Sequence, residues 1–103
     1  MNIAKMMKQA QQMQSKMAAM QAELAEKEVE ASVGGGKVTV IANGAGEVLS
    51  IKIDPAVIDP EDAEILEDLV LSGVKKAIAD GKALAEAEMK ELTGGMGLPP
   101  GLL

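Results

Sequence analysis

The chain is 103 residues long, 10.6 kDa, with a formal net charge of −6 and no aromatic residue, cysteine or histidine. All ten of its basic residues are lysine. Disulfides, thiolate chemistry, histidine–metal sites and nucleophile–base pairs are excluded. So are aromatic platforms for unstacked bases and the bidentate guanidinium fork. A chain of this length forms one domain, burying roughly 60–65% of its extended surface, which is marginal for a monomer without aromatics. These absences argue against an enzyme.

The N-terminal segment carries the strongest pattern. Ile3, Met6, Ala10, Met13, Met17, Met20 and Leu24 are spaced 3, 4, 3, 4, 3, 4, an unbroken heptad seam. Gln, Lys, Ala and Glu fill the intervals, so the spacing predicts a helix over about 2–28. Residues 1–22 hold Lys5, Lys8 and Lys16 and no acid. No signal-peptide apolar region or membrane span is present, and the expected home is the cytoplasm.

Val29, Ala31 and Val33 then alternate with polar residues, switching the period to that of a strand. Gly34–Gly36 lead into a second strand, Lys37–Ala42. Asn43-Gly44-Ala45-Gly46 is a hairpin signal, because Asn-Gly tolerates positive φ. A third strand, Glu47–Ile53, places Leu49, Ile51 and Ile53 on one face. The middle of the chain is therefore a three-stranded antiparallel meander with one apolar face.

Asp59-Pro60-Glu61-Asp62 reads as an N-cap, a proline at the first helical position and acids in the first turn. The helix that follows carries apolar residues at helical spacing from Leu66 to Leu92. Gly73 and Gly81 inside it mark a close approach or a bend. Gly94-Gly95 ends it. The expected organisation is one domain over 1–92 and a flexible Gly/Pro-rich tail over 93–103. The fold class is α+β, with element order α-β-β-β-α and two long helices.

A three-stranded sheet covered on one face cannot also bury a seam about 40 Å long. Ile3, Met6, Met13, Met17, Met20 and Leu24 therefore need the second helix, a second subunit, or both, and a homodimer is the favoured reading. Lys5, Lys8, Lys16, Gln9 and Gln12 share a polar flank away from that seam. This flank is either a solvated helix face or a phosphate-contacting arm, and composition alone does not decide. Other chemistry fails sooner. Gly36-Lys37 has Val38 where a phosphate loop needs Ser or Thr, and the seven carboxylates from Asp54 to Asp68 lack calcium-loop spacing. No metal site is expected.

In order along the chain, several segments are together specific: Met6-Met-Lys-Gln-Ala-Gln-Gln-Met13, Val33-Gly-Gly-Gly-Lys-Val-Thr-Val40, Asn43-Gly-Ala-Gly-Glu-Val48, Ile53-Asp-Pro55, Asp59-Pro-Glu-Asp62, Leu66-Glu-Asp-Leu69 and Met89-Lys-Glu-Leu-Thr-Gly-Gly-Met-Gly-Leu-Pro99. With these residues the sequence resembles the YbaB/EbfC family of bacterial nucleoid-associated proteins over essentially its whole length. The resemblance implies a tweezer-like homodimer with a joined strand body and projecting helices. It further implies binding and reshaping of double-stranded DNA, association with the nucleoid, roles in gene regulation, and neither enzymatic activity nor a cofactor. The expected partners are double-stranded DNA and a second copy, with no membrane and no small-molecule substrate.

DNA contacts are assigned by inference to Lys5, Lys8 and Lys16 with Gln9 and Gln12, and secondarily to Lys75, Lys76, Lys82 and Lys90 on the second helix. The competing reading is a protein-interaction adaptor, linked to DNA replication or repair, that uses its Met-rich helix as an adaptable surface.

Overall fold

The computed structural model describes residues 2–95. The element order is α1 (Ile3–Glu26), β1 (Glu28–Val33), β2 (Val38–Asn43), β3 (Val48–Ile53), two short 3-10 turns at Pro55–Val57 and Pro60–Asp62, and α2 (Ala63–Gly95). Both long helices and all three strands fall where periodicity places them. α1 starts on Asn2, whose side chain accepts from the Lys5 backbone N–H, and stops at Lys27 in extended conformation. α2 runs through Thr93 and Gly94 to Gly95, so three residues assigned to the tail belong to the helix. The rest of the expected flexible tail, 96–103, lies outside the described residues.

The sheet order is β1-β2-β3, all antiparallel. Gly34, Gly35 and Gly36 link β1 to β2 with φ of 63°, 67° and 89°, a left-handed run that disfavours any Cβ. The expected face of β3 needs a correction. Ile53 and Ile51 oppose Val38 and Val40, but a register shift at Ile41/Ala42 then sets Val48, not Leu49, opposite Ala42. The bulge leaves Leu49 as the extra residue.

The Asn-Gly hairpin also differs from expectation. The positive φ sits at Gly46 (85°), and neither Asn43 nor Gly44 has one. Asp59 is corrected as well: its side chain accepts from the Glu61 N–H and caps the second 3-10 turn, and α2 itself begins at Ala63.

α2 lies across β1 and β2 and barely reaches β3. The core between them is built of small residues: Ala31, Val38, Val40 and Ala42 from the sheet and Ala77 from the helix, all fully buried. Small side chains let helix and sheet approach closely, and the two helical glycines mark where. A Cβ on Gly73 would lie 2.9 Å from Val40 Cγ2, and one on Gly81 only 2.5 Å from the Asn43 carbonyl oxygen.

The stretch of the helix-facing side that α2 leaves uncovered, on β3, is apolar. Val48, Leu49 and Ile51 on edge strand β3 are exposed. At the Ile53 end of β3 runs a groove of about 500 Å³, lined by Ile53, Leu66, Glu67, Val70, Leu71 and Val74. Just past that end, Asp54 accepts from the Ala56 N–H at 2.9 Å and from Lys37 Nζ at 3.3 Å. These contacts, the backbone N–H first, hold its carboxyl below the usual range.

Candidate nucleic-acid interface

The radius of gyration is 19.3 Å, against about 13 Å for a compact chain of this length. Two long helices extend the molecule: α2, about 50 Å for 33 residues, and the arm formed by α1, about 36 Å for 24 residues. Only its C-terminal turns touch the body. Met20 and Leu24 are buried, Met13 and Met17 half-buried, and everything from Asn2 to Gln12 is exposed. Of the seven seam positions, two are thus covered, two partly covered, and Ile3, Met6 and Ala10 open.

The arm is held by an elbow in which Asn43 is central. Its Oδ1 accepts from the backbone N–H groups of Ala45 and Glu47, both at 3.0 Å. Its Nδ2 donates to the Ala25 carbonyl and to Glu47 Oε1, also at 3.0 Å. The next residue, Gly44, donates its N–H to the carbonyls of Leu24 (2.9 Å) and Lys27 (3.0 Å). One turn of the β2–β3 hairpin therefore ties down the last turn of α1. Sequence reasoning read Asn43 and Gly44 only as turn formers, since nothing local shows partners seventeen to twenty residues upstream.

The structure divides the predicted lysines. Lys5 and Lys8 lie on the open arm, one turn apart, with Gln9 and Gln12 exposed beside them. No carboxylate occurs on α1 before Glu23. Lys16 sits elsewhere, lining a cavity of about 410 Å³ between the helices together with Glu23, Lys27, Glu88, Glu91 and Leu92. Lys27 donates to Glu88 across this junction, and that hydrogen bond, with the Glu88, Glu23 and Glu91 charges, raises the Lys27 pKa despite some opposing desolvation. A phosphate near Lys16 would thus meet three carboxylates.

Lys75, Lys76, Lys82 and Lys90 are all exposed, on the side of α2 away from the sheet. Lys76 pairs with Asp80 at 3.7 Å, and Glu86 shares the exposed side. Their field is mixed, whereas that of Lys5 and Lys8 is of one sign.

Comparison with known proteins fits this geometry. Residues 1–96 match the model of the YbaB/EbfC DNA-binding family. The chain belongs to that family. The YbaB/EbfC family is a DNA-binding family and not one of enzymes. The chain is 52% identical over 102 residues to a nucleoid-associated protein of Akkermansia muciniphila, covering 99% of this chain and 98% of that one. It is 51% identical over 98 residues to a nucleoid-associated protein of Thermoanaerobacter sp., with coverage of 95% and 88%. Among solved structures, the uncharacterized protein HP0035 of Helicobacter pylori superposes with a TM-score of 0.70 at 25% identity, covering 93% of this chain and 97% of that one. No helix of the described residues is long and apolar enough to cross a membrane.

Proposed function

We propose that this YbaB/EbfC protein acts at the bacterial nucleoid as a homodimer that grips double-stranded DNA by its phosphates and changes the path of the duplex. The observation that carries this reading is the placement of Lys5 and Lys8: on an open arm, beside two exposed amides, and without a carboxylate before Glu23. Net charge −6 disfavours DNA over most of the surface, but the carboxylates cluster on the body and the distal arm carries none. Lysine contacts phosphate as a point charge, which suits binding with little sequence preference.

Dimerisation is the second half of the reading. Edge strand β3 exposes Val48, Leu49 and Ile51, with an apolar groove at its Ile53 end, and an unpaired apolar edge is suited to a second copy. Two arms then present four to six lysines to one duplex. Ile51→Lys together with Leu71→Asp should convert the dimer to a monomer in sedimentation velocity. DNA affinity should fall with it, because one arm alone loses the avidity of two.

The test of the DNA contacts is a salt titration with a duplex labelled at both ends, which reads binding and end-to-end distance together. For four to six phosphate contacts, log K against log salt should have a slope of about −4 to −5. Lys5→Gln with Lys8→Gln removes four charges per dimer, so the slope should shrink by about 3 to 4 and binding at moderate salt should weaken at least about tenfold. Lys16→Gln should do less. Unchanged affinity in the double variant sinks the assignment, and an unchanged end-to-end distance on binding sinks the change of path.

A further inference from the structure

We propose that Asn43-Gly44 is a deamidation site that the docked end of α1 holds shut, and that conversion there releases the arm. This goes beyond DNA binding and does not depend on it. Asparagine is a thermally labile side chain, and most so before glycine, where no Cβ hinders the following nitrogen. The chain has two asparagines; Asn2 precedes Ile3, and Asn43 precedes Gly44.

The reaction needs no partner but water. The Gly44 nitrogen gives up its proton and attacks the side-chain carbonyl carbon of Asn43. A new N–C bond closes a succinimide ring, and the side-chain nitrogen leaves with that proton as ammonia. Water then opens the ring at one of its two carbonyls. One opening gives aspartate; the other gives isoaspartate, with the main chain routed through the side chain.

The elbow opposes each step. The Gly44 N–H is held by the carbonyls of Leu24 at 2.9 Å and Lys27 at 3.0 Å, so the nitrogen can neither shed its proton easily nor turn toward the side chain. Asn43 is paired with Glu28 at the end of β2, and both atoms of its amide are engaged: Nδ2 with Ala25 and Glu47, Oδ1 with Ala45 and Glu47. The side chain is buried from water. Glycine is also required here, because a Cβ at position 44 would lie 2.6 Å from Leu24 Cδ2 and 3.0 Å from the Leu24 carbonyl oxygen. The close docking of α1 thus demands the residue that makes Asn43 labile, and the same docking shields the pair. Leu24, Ala25 and Lys27 supply that shield from one end of α1, so attack waits for this end to lift. Conversion is then one-way. Aspartate sets a carboxylate against the Ala25 carbonyl and Glu47, and isoaspartate lengthens the main chain between β2 and its turn. Neither product rebuilds the four hydrogen bonds.

Peptide mass spectrometry of the full-length protein tests this, since cleavage after Lys37 and Lys52 releases residues 38–52 with Asn43 as their single asparagine. At mildly alkaline pH the folded protein should convert at least about a hundredfold more slowly than the same chain in urea. Equal rates overturn the proposal. Leu24→Ala, which removes the side chain packed over Gly44, should speed conversion in the folded protein about tenfold or more. Val38→Ala, in the core beneath α2, controls for general loss of stability and should leave the rate within about twofold. An equal rise in both variants means that the site opens only by global unfolding, and overturns the gate at α1. Glu88→Ala removes the partner of Lys27 without disturbing the core, and serves if Leu24→Ala does not fold; an unchanged rate in Glu88→Ala then overturns the proposal. Converted protein, separated by its added negative charge, should exchange amide hydrogens over residues 20–27 about tenfold faster than the parent. Unchanged exchange there overturns release of the arm.

Discussion

Asn43→Ala should be among the most damaging single substitutions in this protein, lowering stability by about 2–4 kcal/mol. The side chain is 2% exposed and makes four hydrogen bonds, two as acceptor and two as donor. Alanine removes at once the partner of the Ala45 and Glu47 N–H groups and of the Ala25 carbonyl. For a chain of about 100 residues that corresponds to a melting temperature lower by about 10–20 °C, read by far-ultraviolet circular dichroism because there is no aromatic fluorescence. Asn43→Asp tests the donor half separately. It keeps the two accepted bonds but turns an oxygen toward the Ala25 carbonyl and the Glu47 carboxylate, so it too should destabilise. An aspartate variant as stable as the parent would show that the Nδ2 contacts contribute nothing.

Gly81→Ala should also destabilise, by about 2 kcal/mol net, although alanine is the better helix former by about 1 kcal/mol. The decisive fact is what the new Cβ meets. It would sit 2.5 Å from the Asn43 carbonyl oxygen, a backbone atom whose residue is fixed by the elbow and cannot swing aside. Gly94→Ala is the control in the same helix: nothing lies within 4 Å of its Cβ position, so helix propensity alone should act and stability should hold or rise slightly. Gly73→Ala should fall between them, since its nearest neighbour is the end of the Val40 side chain. Thermal melts of the three variants give the order. If Gly81→Ala proves as stable as Gly94→Ala, the close approach of α2 to the hairpin carries no energetic weight.

Much of this fold was legible because its signals are local and periodic. The seven-residue seam spacing of Ile3 to Leu24 announces α1 without tertiary help, and the alternation of Val29, Ala31 and Val33 announces a strand. What the sequence hid is what depends on encounters through space. The β3 bulge falls within Val48-Leu49, where both residues are apolar, so a one-residue slip leaves no trace in the pattern. Lys16 looked like Lys5 and Lys8 on a helical wheel. It parts from them only because α2 returns some seventy residues later with Glu88 and Glu91. Asn43 reads as a turn residue, and its donation to Ala25 is visible only once α1 has been laid against the hairpin. The open arm follows similar logic: the seam predicts burial along its whole length, and α2 covers only the part it reaches.

The elbow makes α1 a lever with a fixed pivot. Its anchoring bonds all gather at Leu24, Ala25 and Lys27, while Lys5 and Lys8 sit near the other end of an arm about 36 Å long. A rotation of about 10° at the pivot moves the tip about 6 Å, more than the rise of about 3.4 Å between successive phosphates of one strand. On the proposed reading, in which Lys5 and Lys8 contact phosphates, the angle set by one buried asparagine would select which phosphates they meet. A substitution that loosens the pivot should blur that choice without touching a single charge.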